Sequence, residues 1–272
     1  MFIDIAMTRK LESVEEMGGA GFAETLGKRR PEIGCVVEKI AGGHAAFAGV
    51  GSPVSHILGA GLGGEVTKDE FDRIEDFYFS RGSGVEVVAA PLADRSLMQH
   101  LRERGYTHSE WNSVLFQPLS EVPRAPDPPA ALEIRAVRPE ELDAWAHLLA
   151  RCFAEDAEGI AMLADLFQTT ASVPDAFALI ALWEGKPAGG AGGMVVRQHN
   201  VAGLYGAGTL PEFRNRGIQT ALLHHRMRLA QGAGCEMAVV IAVPGTISER
   251  NAIRCGFRLA YTKAAFQRPR PA

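Results

Sequence analysis

Cysteine is scarce and unpaired in this sequence. Cys35, Cys152, Cys235 and Cys255 form no CxxC motif and no cluster with histidine. That argues against a structural metal site, so none is expected, and for free thiols in a reducing cytoplasm. No apolar run reaches the roughly 18 residues of a membrane span, and the first residues place Phe2, Ile3 and Ile5 ahead of Arg9 and Lys10, the reverse of a secretory signal. Basic charge is not in excess either. The chain carries 28 Lys and Arg against 32 Asp and Glu, a formal net charge of −4. Neither a nucleic acid nor an anionic membrane is therefore expected as a partner. The expectation is a cytoplasmic protein.

What is present is apolar material, glycine and a localised run of proline. Hydrophobic residues make up 47% of 272 residues, enough for a sizeable core and too much for disorder. Glycine counts 30, above the usual share of about 7%. Pro118, Pro123, Pro126, Pro128 and Pro129 fall together in a stretch that favours extended backbone and cannot hold a helix. The boundaries expected from it are a first domain over 1–120, a linker over 121–130 and a second domain over 131–272.

The two halves end alike. Val85–Pro91, a helical stretch, Gly105-Tyr106 and Trp111–Gln117 in the first match Met237–Pro244, a shorter helical stretch, Gly256-Phe257 and Tyr261–Gln267 in the second. The shared order suggests an internal structural repeat. The second half reads as a strand at Leu132–Val137, helices at Pro139–Phe153 and Ala157–Thr169, and strands at Phe177–Trp183, Ala188–Val196 and Val201–Leu210. A helix at Gly217–Gln231 follows, with Ile218, Ala221, Leu222 and Leu229 on one face. The fold class expected is α/β (α+β).

The most informative segment runs from Thr209 to Leu223. A strand ends at Leu210, Pro211 removes a ladder donor, a polar turn follows, and a helix opens at Gly217. The free N–H groups and positive dipole end of a helix N-terminus attract an anion. Gly217 lets a phosphate approach the backbone, and Arg214 and Arg216 add positive charge. Without that context the same residues describe a surface turn with two solvated arginines.

This segment resembles motif A of the GCN5-related N-acetyltransferase (GNAT) superfamily, in which a strand and a proline precede Arg/Gln-x-x-Gly-x-Gly/Ala at the start of a long helix. The match is Pro211, then Arg214-Asn215-Arg216-Gly217-Ile218-Gln219, and Gln219 departs from the usual small residue. The resemblance covers about Leu132–Arg268. It implies two GNAT-like domains, each a mixed, mostly antiparallel sheet flanked by helices. It implies acetyl-CoA as co-substrate, its pyrophosphate on backbone from Arg214, Asn215, Arg216, Gly217, Ile218 and Gln219 to Thr220, and its pantetheine arm pairing near Thr209 and Leu210. The family splays this strand from its neighbour, as a bulge would do. Ser248–Phe257 resembles the closing helix and Gly-Phe turn, with Asn251 facing the cofactor. The family's tyrosine four residues before the glycine is Ala252 here, so Ser248 and Tyr261 stand as the candidate acids. Ser248 also reads as a helix N-cap.

In the first half the corresponding stretch, Leu62–Asp72, holds Glu65, Asp69, Glu70 and Asp72. Such carboxylates stabilise a helix start but repel a pyrophosphate. The first domain therefore reads as a degenerate GNAT-like half without a cofactor site. Two classes of function follow. One is an acyl-CoA-dependent N-acetyltransferase acting by direct attack of a small-molecule or peptide primary amine. The other is a non-catalytic acyl-CoA-binding sensor or scaffold. Homodimerisation is left open.

Overall fold

The computed structural model describes residues 2–123 and 127–271. Arg124, Ala125 and Pro126 of the expected linker lie outside the described residues. The chain divides into two compact units, one made of Met1–Val114, Ala242–Pro244 and Leu259–Ala272, the other of Leu115–Ile241 and Gly245–Arg258.

The first unit opens with α1 (Ile5–Arg29), capped by the Asp4 carboxylate, which accepts the Met7 N–H at 2.8 Å. There follow β1 (Val36–Ile40), β2 (Gly43–Phe47), β3 (Ile57–Leu58), α2 (Lys68–Phe79), β4 (Val85–Ala89), α3 (Arg95–Glu103) and β5 (Thr107–Pro118), whose first residues belong to this unit. Pairing is antiparallel for β1–β2 and β2–β3 and parallel for β3–β4. Phe71, Ile74, Phe77 and Tyr78 of α2 bury one amphipathic face in a core with Ile40, Phe47, Ile57, Val87 and Leu97. The start of α2 is closed by a reciprocal cap: Thr67 Oγ1 accepts the Glu70 N–H at 3.2 Å and Glu70 Oε2 accepts the Thr67 N–H at 2.9 Å.

The second unit holds β6 (Leu132–Ala136), α4 (Leu142–Ala150), α5 (Ala157–Ala171), β7 (Ala176–Trp183), β8 (Lys186–Val196), β9 (Val201–Thr209), α6 (Ile218–Gly232), β10 (Met237–Ala242) and α7 (Ile247–Arg254). Strands β6 to β9 pair antiparallel in chain order, and β10 pairs parallel with β9. Side-chain alternation along β7 sorts the core into two layers. Ala178, Ile180 and Leu182 pack with Trp145, Leu149 and Ala164 of α4 and α5, whereas Leu179 and Ala181 pack with Ile218 and Leu222 of α6. The expected face of α6 needs one change: Leu229 is exposed, and Met227 and Ala230 complete the buried stripe.

The last strand, β11 (Arg258–Arg268), departs from the division at the prolines. From Leu259 onward it belongs to the first unit, where it pairs antiparallel with β4 from Ala264↔Ala89 to Arg268↔Val85. A strand's partner is set by backbone hydrogen bonding and by the face it must bury, not by nearness along the chain. The strand–helix–strand order expected as a repeat is present in both halves, as β4–α3–β5 and β10–α7–β11.

Candidate functional site

Two irregularities in β9 open a cleft in the second unit. The β8–β9 ladder shifts register between Ala191↔Ala207 and Gly192↔Tyr205, so that Gly206 is an extra residue. Its φ of +51° suits glycine, and a Cβ there would come within 3.1 Å of the Phe167 ring. On its other edge β9 meets β10 over Met237↔Val201, Ala238↔Ala202 and Val239↔Gly203. Past Gly203 a cleft of about 900 Å³ follows, lined by Leu204–Thr209 on one side and Val240 and Ile241 on the other.

The direction of the β9 backbone groups follows from a single bond. The Leu210 N–H donates to Ala188 O at 2.9 Å. Antiparallel alternation then turns the groups of Gly208 toward β8 as well, and those of Ala207 and Thr209 toward the open edge. Leu210 was an expected pantetheine contact. Its N–H is already taken, its side chain is buried, and Thr209 and Ala207 are the residues with outward donors.

Beyond Leu210, Pro211–Phe213 makes one short turn, and Asn215 and Gly217 both take positive φ, +63° and +77°. Gly217 is the N-cap of α6 and can supply no side-chain cap, so the first N–H groups of the helix, at Ile218, Gln219 and Thr220, are uncapped by the chain. This contrasts with the sealed start of α2. Arg214 remains exposed at the cleft, where its Nε donates to Thr209 O at 3.3 Å. Arg216 turns elsewhere: its guanidinium lies 4.9 Å from the Trp183 ring centroid and 5.6 Å from that of Phe213, and it does not line the cleft.

Helix α7 forms a further wall with Ser248, Asn251 and Ala252, continued by Cys255 just past its end. Its N-cap is Thr246, whose side chain accepts the Glu249 N–H, so Ser248 is not the cap and its hydroxyl sits exposed at the cleft. Tyr261 is not brought to the cleft. It belongs to the first unit, where its hydroxyl donates to Glu12 Oε1 at 2.8 Å. Burial, and then the Glu12 charge, push its pKa well above the usual tyrosine range.

Among the described residues lining the cleft there is no Asp, Glu, His or Lys, but there are four arginines, Arg214, Arg226, Arg250 and Arg254. Burial raises the Cys152 thiol to about 11 and also raises Tyr205 and Cys255, so these lining groups are neutral at pH 7. Of the expected cofactor residues, Thr209, Arg214, Asn215, Gly217, Ile218, Gln219, Thr220 and Asn251 line the cleft together. Arg226 was missed. The signal for it lies in the sequence: a charge four residues after Leu222 and eight after Ile218, on the stripe that α6 buries.

Residues 142–257 match the acetyltransferase (GNAT) family. No curated protein matches the chain. Solved structures share the fold. A GCN5-related N-acetyltransferase from Kribbella flavida aligns with a TM-score of 0.67 at 16% identity, over 91% of this chain and 95% of that one. A tandem GNAT protein from the clavulanic acid biosynthesis pathway aligns with a TM-score of 0.61 at 13% identity, over 85% of this chain and 79% of that one. A functionally unknown conserved protein from Staphylococcus epidermidis gives 0.59 at 14% identity, over 88% and 96%.

Proposed function

We propose, from the match of residues 142–257 to the acetyltransferase (GNAT) family, that the chain transfers an acetyl group from acetyl-CoA to a primary amine of a small molecule or peptide, by direct attack. The observation that carries this reading is the continuity of the open edge of β9 with the uncapped start of α6. An extended polar arm and a terminal pyrophosphate need those two features in that order. The cleft suits such a ligand: it is cationic, and the space beside Gly217, where a Cβ would meet nothing within 4 Å, is clear.

In this reading the N–H groups of Ile218, Gln219 and Thr220 hold the pyrophosphate, with Arg214 beside them. Ala207 and Thr209 pair with the pantetheine arm and place a backbone donor near the developing oxyanion. The walls orient the two reactants, which supplies much of the rate in a direct transfer. As the C–N bond forms and the C–S bond breaks, the amine loses a proton and the departing thiolate gains one. The Ser248 hydroxyl is the candidate to supply the latter. Among the described residues the lining offers no carboxylate or imidazole, and in this reading the amine enters neutral and gives its proton to water. The closed start of α2 argues that the first unit does not repeat the phosphate site.

Titration calorimetry with acetyl-CoA tests the cofactor site. Gly217→Val, which strains a positive-φ position and fills the approach, is expected to weaken binding at least tenfold, and unchanged affinity overturns the assignment. Thiol release over a panel of amines separates turnover from a merely binding role.

A further inference from the structure

Arg226 is a cation that the cleft's own side chains do not balance. Its side chain is 4% exposed, and it lines the cleft together with no acidic residue among those described. Burial lowers its pKa to about 10, which still leaves it protonated at neutral pH. Nη1 donates to Gly192 O at 3.1 Å and to Tyr205 O at 3.3 Å, which uses both of its hydrogens. Nε is enclosed and has no partner. Two carbonyl contacts account for one nitrogen of the guanidinium and leave Nη2 and the enclosed Nε without a protein partner, so a carboxylate meets the guanidinium through Nη2. A buried charge with neither a counter-ion nor full hydrogen bonding is unfavourable until a partner is supplied.

Its level in the cleft is fixed by two elements. Arg226 lies eight residues beyond Ile218 on α6, about 12 Å at 1.5 Å per residue. Tyr205 lies four residues before Thr209 on β9, about 13 Å at 3.3 Å per residue. Helix and strand thus run the same distance from the phosphate end and meet in the bond between Arg226 and Tyr205, beside the Gly206 bulge. An arm lying along β9 from the α6 start brings its acyl end to this level. The other arginines of the lining, Arg214, Arg250 and Arg254, are exposed.

We propose that Arg226 reads a terminal carboxylate on the acyl chain, so that among acyl chains longer than acetyl the site takes a dicarboxylic acyl-CoA of the succinyl class in preference to a neutral one of the same length. This rests on the reading of the cleft as an acyl-CoA slot. The carboxylate takes no part in the transfer. It supplies the missing counter-charge and fixes the far end of the acyl chain.

The test is calorimetric titration of the full chain with CoA, butyryl-CoA and succinyl-CoA. A hydrogen bond between charged groups contributes roughly 1.5–3 kcal/mol and each 1.4 kcal/mol is about tenfold, so succinyl-CoA is expected to bind about ten times more tightly than butyryl-CoA, or better. Arg226→Met is expected to bring that ratio to within about twofold, and Arg226→Lys to leave it in between. Equal affinities in the unaltered protein, or a preference that survives Arg226→Met, overturn the proposal. If Arg226→Met does not melt cooperatively, the unaltered protein and Arg226→Lys decide. Failure to bind CoA itself would overturn the slot as well, and is a distinct result.

Discussion

Lys263 Nζ lies 2.7 Å from Glu12 Oε2, and each side chain is 1% exposed. Glu15 gives the same ammonium a second carboxylate. Removing one member of a buried pair leaves the other charged and unmatched, at a cost of about 3–5 kcal/mol, whereas replacing both by apolar groups is often close to neutral. Lys263→Met is therefore expected to lower the unfolding free energy by that amount, and adding Glu12→Leu to recover part of it, since the Tyr261 hydroxyl then loses its acceptor. Urea titrations of the two variants check this. A single variant as stable as the parent would show that the pair is not buried in solution.

The same network sets an alkaline limit. Burial alone would lower the Lys263 pKa, but the charges and hydrogen bonds of Glu12 and Glu15 together raise it. A raised lysine stabilises the fold fully below the unfolded value of about 10.4 and ceases to do so as pH climbs through the folded value. Tyr261, raised by burial and by Glu12, acts in the same direction above its unfolded value of about 10. Melting temperature is expected to fall above about pH 10, and less steeply in Lys263→Met. Calorimetric scans from pH 8 upward measure it, and equal slopes would refute the linkage.

Tyr261→Phe separates packing from chemistry. Losing the bond to Glu12 is expected to cost about 1–3 kcal/mol of stability and to leave turnover within about twofold, because the phenol does not line the cleft. A tenfold loss of kcat without unfolding would restore Tyr261 as the acid.

Arg214 and Arg216, two residues apart, are expected to behave differently. Arg214→Ala should weaken acetyl-CoA binding several-fold, and the effect should shrink with added salt because the side chain is exposed. Arg216→Ala should leave affinity within about twofold, since its guanidinium is committed to Trp183 and Phe213. Equal losses would mean that Arg216 swings toward the phosphate.

Gly190 has a packing role. A Cβ there would lie 2.5 Å from Trp145 Nε1, which donates to Leu179 O at 2.9 Å. Gly190→Ala is expected to cost about 1–3 kcal/mol by overpacking, read as a fall in the melting temperature. Part of the glycine excess is of this kind: Gly193 and Gly208 also face side chains where a Cβ would clash, Phe177 at 2.2 Å and Cys152 at 2.4 Å.

The strand, turn and helix from Val201 to Gly232 were legible in the sequence because each rests on local chemistry. Pro211 ends a ladder, Gly217 permits a positive φ and an uncapped helix start, and apolar spacing sets the buried faces of α2 and most of α6. The uncapped turn follows from the same short-range rules. Only the tertiary structure could say which edge of β9 is open, that the Leu210 N–H is spent on Ala188, that Arg216 stacks on Trp183, that Tyr261 answers to Glu12, and that β11 joins β4. In each case the deciding partner is remote along the chain, and the choice depends on competition for buried hydrogen bonds that no local pattern records. Arg226 stands between the two. Its charge on an apolar stripe is visible in the sequence, but the missing counter-ion appears only once the cleft around it has been built.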